Sequence, residues 1–96
     1  MGTRDPEIQK PDLYVIARFL ERIWSAGRPI KKTRLQMAVG LNYGTFKRYL
    51  LWMVERDLLS LTAEEDRSEY VALTTKGLES HHQIVGWIKD VVFDDI

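Results

Sequence analysis

Apolar residues recur along this chain at helical spacing in several places, with two short strand-like runs between the third and the last. Leu13, Ile16, Ala17, Leu20, Ile23 and Trp24 fall at three- and four-residue steps, which predicts a first helix from Asp12 onward. Pro11 suits its start, and Gly27 followed by Pro29 ends it. Val15, Phe19 and Ala26 widen the apolar arc to about 200°, more than one buried face requires. A short second helix is expected over Thr33 to Val39, with Thr33 as its cap and Leu35, Ala38 and Val39 on one side. Gly40 suits the left-handed backbone at a helix end, Leu41 plugs the turn, and Asn42 caps a third helix, Tyr43 to Arg56. Phe46, Tyr49, Leu50, Met53 and Val54 share one face of that helix. Gly44, Thr45, Arg48 and Trp52 look the other way, with Lys47 at the border. Asp57 then stands where glycine is commoner.

Leu58 to Thr62 and Glu69 to Thr74 read as strands, because Tyr70 and the β-branched Val71 favour extended backbone. The polar stretch Ala63 to Ser68 suits the loop of a hairpin. Thr74 or Thr75 can cap a final helix over residues 75–93, on which Leu78, Ile84, Val85, Trp87, Ile88, Val91 and Val92 cover half the circumference or more. Residues 1–10 are polar, contain Pro6 and read as a loose arm, leaving residues 11–96 as one domain. Helix, helix, turn, helix, hairpin, helix is the order of a winged helix–turn–helix: mainly α, with a small β-hairpin wing.

Charge sharpens this picture. From Arg28 to Arg56 the chain holds seven basic residues (Arg28, Lys31, Lys32, Arg34, Lys47, Arg48 and Arg56) against the single acid Glu55. The rest holds seven basic and thirteen acidic residues, so a net charge of zero conceals a dipolar molecule. Cations gathered on a helix–turn–helix are the electrostatic footprint of a nucleic-acid reader. Lys31, Lys32, Thr33 and Arg34 sit at the entry to the second helix, where the helix dipole disfavours positive charge, and are expected to touch phosphates. Asn42, Tyr43, Thr45, Lys47 and Arg48 occupy the first turns of the third helix, the part that meets base edges in a major groove. The bland alternative is that Asn42 only caps, Tyr43 packs and the rest face solvent.

Other chemistry is poorly represented. No cysteine is present, which excludes disulfides and thiolate zinc sites. His81 and His82 are adjacent, so on a helix they point about 100° apart and cannot chelate one ion together. A buried, hydrogen-bonded His81 is the simpler expectation. No phosphate-cradling glycine loop, metal-binding His/Glu pair or nucleophile with a base occurs, so neither an enzyme nor a cofactor or small-molecule ligand is expected. No run approaches the roughly 18 apolar residues of a membrane span. With no apolar signal core at the N-terminus, the chain is expected in the cytoplasm. The first and last helices carry more apolar surface than one small core covers, which predicts a homodimer built around Leu78, His81, Val85, Ile88 and Val92.

Thr33-Arg34-Leu35, Leu41-Asn42-Tyr43, Lys47-Arg48-Tyr49-Leu50, and Tyr70 with Leu73-Thr74-Thr75-Lys76-Gly77 together resemble the motif blocks of small archaeal winged-helix proteins. The resemblance covers about residues 13–93. It implies DNA binding, an archaeal-type source, and a long C-terminal helix used for dimerisation; members are mostly described as regulators or chromatin-associated proteins. The sequence departs from the group at Asp57, where glycine is usual, and at the wing tip. There Glu64, Glu65 and Asp66 are acidic with only Arg67, the wing's candidate DNA contact, to offset them, although a wing that straddles phosphates should be basic. The expected function is therefore sequence-specific binding of double-stranded DNA by a homodimeric regulator, with the recognition helix at about residues 43–56. The alternatives are a non-specific DNA-coating protein and a protein-interaction adaptor.

Overall fold

The computed structural model describes residue 8 and residues 10–92. Helix α1 (Leu13–Ala26) starts one residue later than its apolar pattern predicts, because Asp12 is its cap. The Asp12 carboxylate accepts the Tyr14 N–H at 2.8 Å, satisfying a donor that the first turn leaves unpaired. Gly27, with φ 70°, ends the helix. Strand β1 (Ile30–Lys31), helix α2 (Lys32–Val39) and helix α3 (Tyr43–Glu55) follow. Strands β2 (Leu59–Ala63) and β3 (Glu69–Leu73) form the hairpin, and α4 (Thr75–Ser80) begins the last helix. That helix continues in wider π-type turns over His81–Val85 and Ile88–Val92. Thr74 is its cap, accepting the Gly77 N–H at 2.9 Å.

The sheet is antiparallel in the order β1-β3-β2, with Val71 between Ile30 on one side and Leu61 on the other. Strand β1 was not legible in the hydrophobic pattern, and it moves the start of α2. Pairing with Val71 and Tyr70 holds Ile30 and Lys31 extended, so the helix begins at Lys32 with Lys31 in the cap position. Thr33 is thus inside the helix rather than its cap, and no side chain caps this end. After α3, Asp57 adopts the left-handed backbone predicted for it, with φ 62°.

The core sits between α1, α2, α3 and the sheet. Phe19 stacks on Phe46, with ring centroids 5.4 Å apart, and lies 6.2 Å from Tyr49. Leu20, Leu35, Val39, Met53, Leu59 and Val71 fill the space around these rings. The Tyr49 hydroxyl accepts the Asp12 N–H at 2.9 Å, which ties the start of α1 to the middle of α3. Most of the expected N-terminal arm lies outside the described residues, but Ile8 within it is partly buried against the core. Gly77 of the Leu73–Gly77 motif is required by packing, since a Cβ there would clash with the Leu58 carbonyl.

A second apolar cluster joins α1 to the last helix through Ala17, Val85 and Ile88. Nearer the C-terminal end of α1, the His81 ring stacks on Trp24 at 4.6 Å and its Nε2 lies 2.8 Å from Glu21 Oε1. A carboxylate only accepts, so Nε2 carries the proton in that contact. These contacts make the two helices antiparallel. They also correct the predicted dimer seam, because His81, Val85 and Ile88 are buried against their own chain. Leu78 and Val92 remain substantially exposed. The three- and four-residue spacing of the seam positions marks one face of the last helix but not what covers it, which here is α1 of the same chain.

Candidate nucleic-acid interface

The turn between α2 and α3 follows from three local choices. Gly40, at φ 72°, donates its N–H to the Gln36 carbonyl and turns the chain out of α2. Leu41 is partly buried against the core. Asn42 Oδ1 accepts the Thr45 N–H at 2.9 Å and starts α3. Arg18 completes the corner from outside by donating to the Val39 carbonyl at 2.7 Å. Phe46, Tyr49, Leu50 and Met53 bury one face of α3. The opposite face is thereby turned to solvent, with Tyr43, Gly44, Lys47, Arg48 and Leu51 all exposed.

The basic residues divide into free and engaged sets. Among the described residues, no carboxylate lies within 4.0 Å of the terminal nitrogens of Lys31, Arg34, Lys47 or Arg48. Lys32 is different: its ammonium is ion-paired with Glu69 of β3 and partly buried. The expected phosphate contact by Lys32 would therefore compete with Glu69, whereas that by Lys31 would not. Arg56 is also engaged, with its guanidinium 4.1 Å over the Trp52 ring and donating to the Trp52 carbonyl. Thr33 and Arg34 are exposed on the first turn of α2. Thr45 is partly buried and its N–H is taken by Asn42, so Asn42 serves as a cap.

The wing ends in a tight loop. The Glu64 N–H donates to the Ser68 carbonyl at 2.8 Å, and the Arg67 N–H to the Glu64 carbonyl at 2.9 Å. Arg67 takes the left-handed conformation at φ 69° and its side chain is exposed. Hydrogen bonds from the Ser68 backbone and hydroxyl hold the Asp66 carboxyl below its ordinary range, with attraction from Lys31 added. The acidic tip therefore lies within electrostatic reach of the entry to α2.

Two contacts that organise this surface, Arg18–Val39 and Lys32–Glu69, were missed from the sequence. Their partners are 21 and 37 residues apart, and no periodic signal links them. No group of three or more His, Asp or Glu converges on a metal position among the described residues, and none of their helices is long and apolar enough to cross a membrane. A shallow groove of about 320 Å³ between the end of α1 and β3 is lined by Ile23, Trp24, Arg28, Pro29 and Leu73.

Three helices with a hairpin wing, and a cationic outer face on the third, define a winged-helix binding module rather than an enzyme fold. The family model described as "Winged helix-turn-helix" matches residues 12–89, and the chain belongs to that family. Several solved structures share the fold. F93 from STIV, a winged-helix DNA-binding protein, superposes with a TM-score of 0.78 at 17% identity, over 86% of this chain and 96% of that one. Sso10a-2, a DNA-binding protein from Sulfolobus solfataricus, gives 0.69 at 22% identity over 83% and 80%. A MarR-family transcriptional regulator from Silicibacter pomeroyi gives 0.71 at 21% identity; the match spans 85% of this chain but only 57% of that protein. The likeness thus extends beyond the small archaeal group that the motifs resemble. No curated protein matches the sequence.

Proposed function

We propose that the protein binds double-stranded DNA as a homodimeric transcriptional regulator. In this reading α3 enters the major groove with Lys47 and Arg48 at base edges, while Lys31 and Arg34 grip phosphates. The observation that carries it is the outer face of α3, where two cations with no carboxylate partner among the described residues stand exposed opposite a buried core face. The winged-helix DNA-binding protein and the DNA-binding protein of similar fold support the choice of ligand. Arg48 has the donor geometry to pair with guanine O6 and N7.

Dimerisation rests on apolar surface left uncovered by the chain itself. Trp87 and Val91 on the last helix are more than half exposed, and Leu13 and Tyr14 on α1 are about as open. Exposed apolar side chains on both helices are surface suited to a second copy.

Salt-titrated binding to random and selected duplexes tests the reading. Phosphate contacts make log affinity fall linearly with log salt, and selection from random duplexes should enrich a palindrome. Salt-dependent binding without enrichment would identify a DNA coat. No affinity for any duplex at about 50 mM salt would leave the adaptor reading, which the exposed acidic wing tip favours.

A further inference from the structure

A glycine inside a helix is destabilising relative to alanine, because it loses the most backbone freedom on folding. Inside a fold it is required where φ is positive or where a Cβ would collide. Gly27 and Gly40 meet the first condition and Gly77 the second. Gly86 in the last helix and Gly44 meet neither, and of these two only Gly44 stands beside the cations of α3. Gly44 lies in the first turn of α3, has no positive φ, and a Cβ built on it would touch only Asn42 Oδ1, at an ordinary 3.6 Å. The fold therefore tolerates a side chain at a position that has none.

Lys47 and Arg48 are three and four residues further along α3, directly above Gly44 on the helix surface. Both are exposed, as is Tyr43 beside it. The missing side chain leaves a notch floored by backbone, with two cations over it.

We propose that Gly44 is the point of closest approach between α3 and DNA. Its bare backbone lets base-pair edges in the major groove come within contact of the helix, which brings Lys47 and Arg48 into hydrogen-bonding range. This inference rests on the DNA-binding reading above and adds a specificity-determining position to it.

The test uses the full chain with Gly44→Ala and Gly44→Leu, measured by thermal unfolding and by binding to a selected and a random duplex. Gly44→Ala should raise Tm by about 4 °C. It should nevertheless weaken binding to the selected duplex by about tenfold, with a smaller loss on random DNA. Gly44→Leu should weaken it further. Wild-type affinity for Gly44→Ala, or a lowered Tm, would overturn the inference while leaving DNA binding intact. Equal losses on every sequence would move the contact to the phosphate backbone and overturn its assignment to base edges. If the wild-type chain binds no duplex, the DNA reading itself fails and this inference falls with it.

Discussion

Arg18 reaches across from α1 and donates its guanidinium Nη1 to the carbonyl oxygen of Val39, 2.7 Å away. That carbonyl belongs to the last turn of α2, where unpaired acceptors and the negative end of the helix dipole favour a cation. The first helix thus fixes where the helix–turn–helix corner begins. Arg18→Ala should lower stability by about 1–2 kcal/mol, the low end for a charge-assisted bond because Arg18 is itself exposed. Urea denaturation checks this, and an unchanged midpoint would show that the contact contributes nothing.

Lys31 and Lys32 are neighbours in sequence with different electrostatic duties. Lys31 has no carboxylate within 4.0 Å among the described residues, whereas Lys32 is held by Glu69. Lys31→Ala should therefore reduce the log–log salt slope of DNA binding by about one unit on every sequence. Lys32→Ala should change the slope much less, because DNA would have to compete with Glu69 for the ammonium. Arg48→Ala should cost about 1–3 kcal/mol on the preferred site and blur one base position. Equal slopes for the two lysine variants would mean that the Lys32–Glu69 pair opens on DNA.

Local chemistry made much of this fold legible. Asn42, Gly40, Thr74 and Asp57 have the cap and turn roles that their side chains and backbone preferences dictate within a few residues. The outward face of α3 was likewise readable from its 3.6-residue period. What periodicity cannot supply is a partner across the fold. The apolar arc of the last helix was wide enough for two neighbours, and only the packing of Val85 and Ile88 on Ala17 shows which part its own chain covers. The His81–Glu21 contact, 60 residues apart, was hidden for the same reason, although burial of His81 in a hydrogen bond was expected.

Glu21 gives the fold a defined response to acid. Burial alone would raise its carboxyl, but hydrogen bonds from His81 and Ser25 and the attraction of Lys89 outweigh it and hold the group below its ordinary 4.5. With the folded value depressed, its stabilisation is complete above the ordinary carboxylate range and is lost as pH falls below 4.5 through the folded value. Glu21→Gln should flatten the stability profile between about pH 5 and 3, relative to the wild type. Parallel profiles would remove Glu21 from the acid response.

The division of the last helix makes a paired prediction. Trp87 and Val91 are exposed, while Val85 is buried against α1. Trp87→Ser with Val91→Ser should convert the proposed dimer to a monomer, because both remove apolar area from the seam and neither supports the chain's own core. Val85→Ala should instead lower stability by about 1–3 kcal/mol through lost packing. Sedimentation read beside denaturation separates the two effects. A wild-type chain that is monomeric at micromolar concentration would refute the dimer.

The acidic wing is the feature least suited to DNA, and its position makes it testable. Glu64, Glu65 and Asp66 are exposed, and the Asp66 carboxyl feels the charge of Lys31. If Lys31 contacts a phosphate, the wing tip stands near the same strand and repels it. Replacing all three acids with their amides should then tighten binding at low salt, with the gain shrinking as the screening length falls toward about 8 Å at physiological ionic strength. Arg67→Ala should act in the opposite direction, since it removes the one cation of the tip. Both effects should be the same on preferred and random duplexes, because phosphates carry no sequence information. If neither variant changes affinity at any salt, the tip stays off the DNA and Lys31 meets the phosphate from its far side. The three acids would then be open to a basic partner while the protein is on DNA.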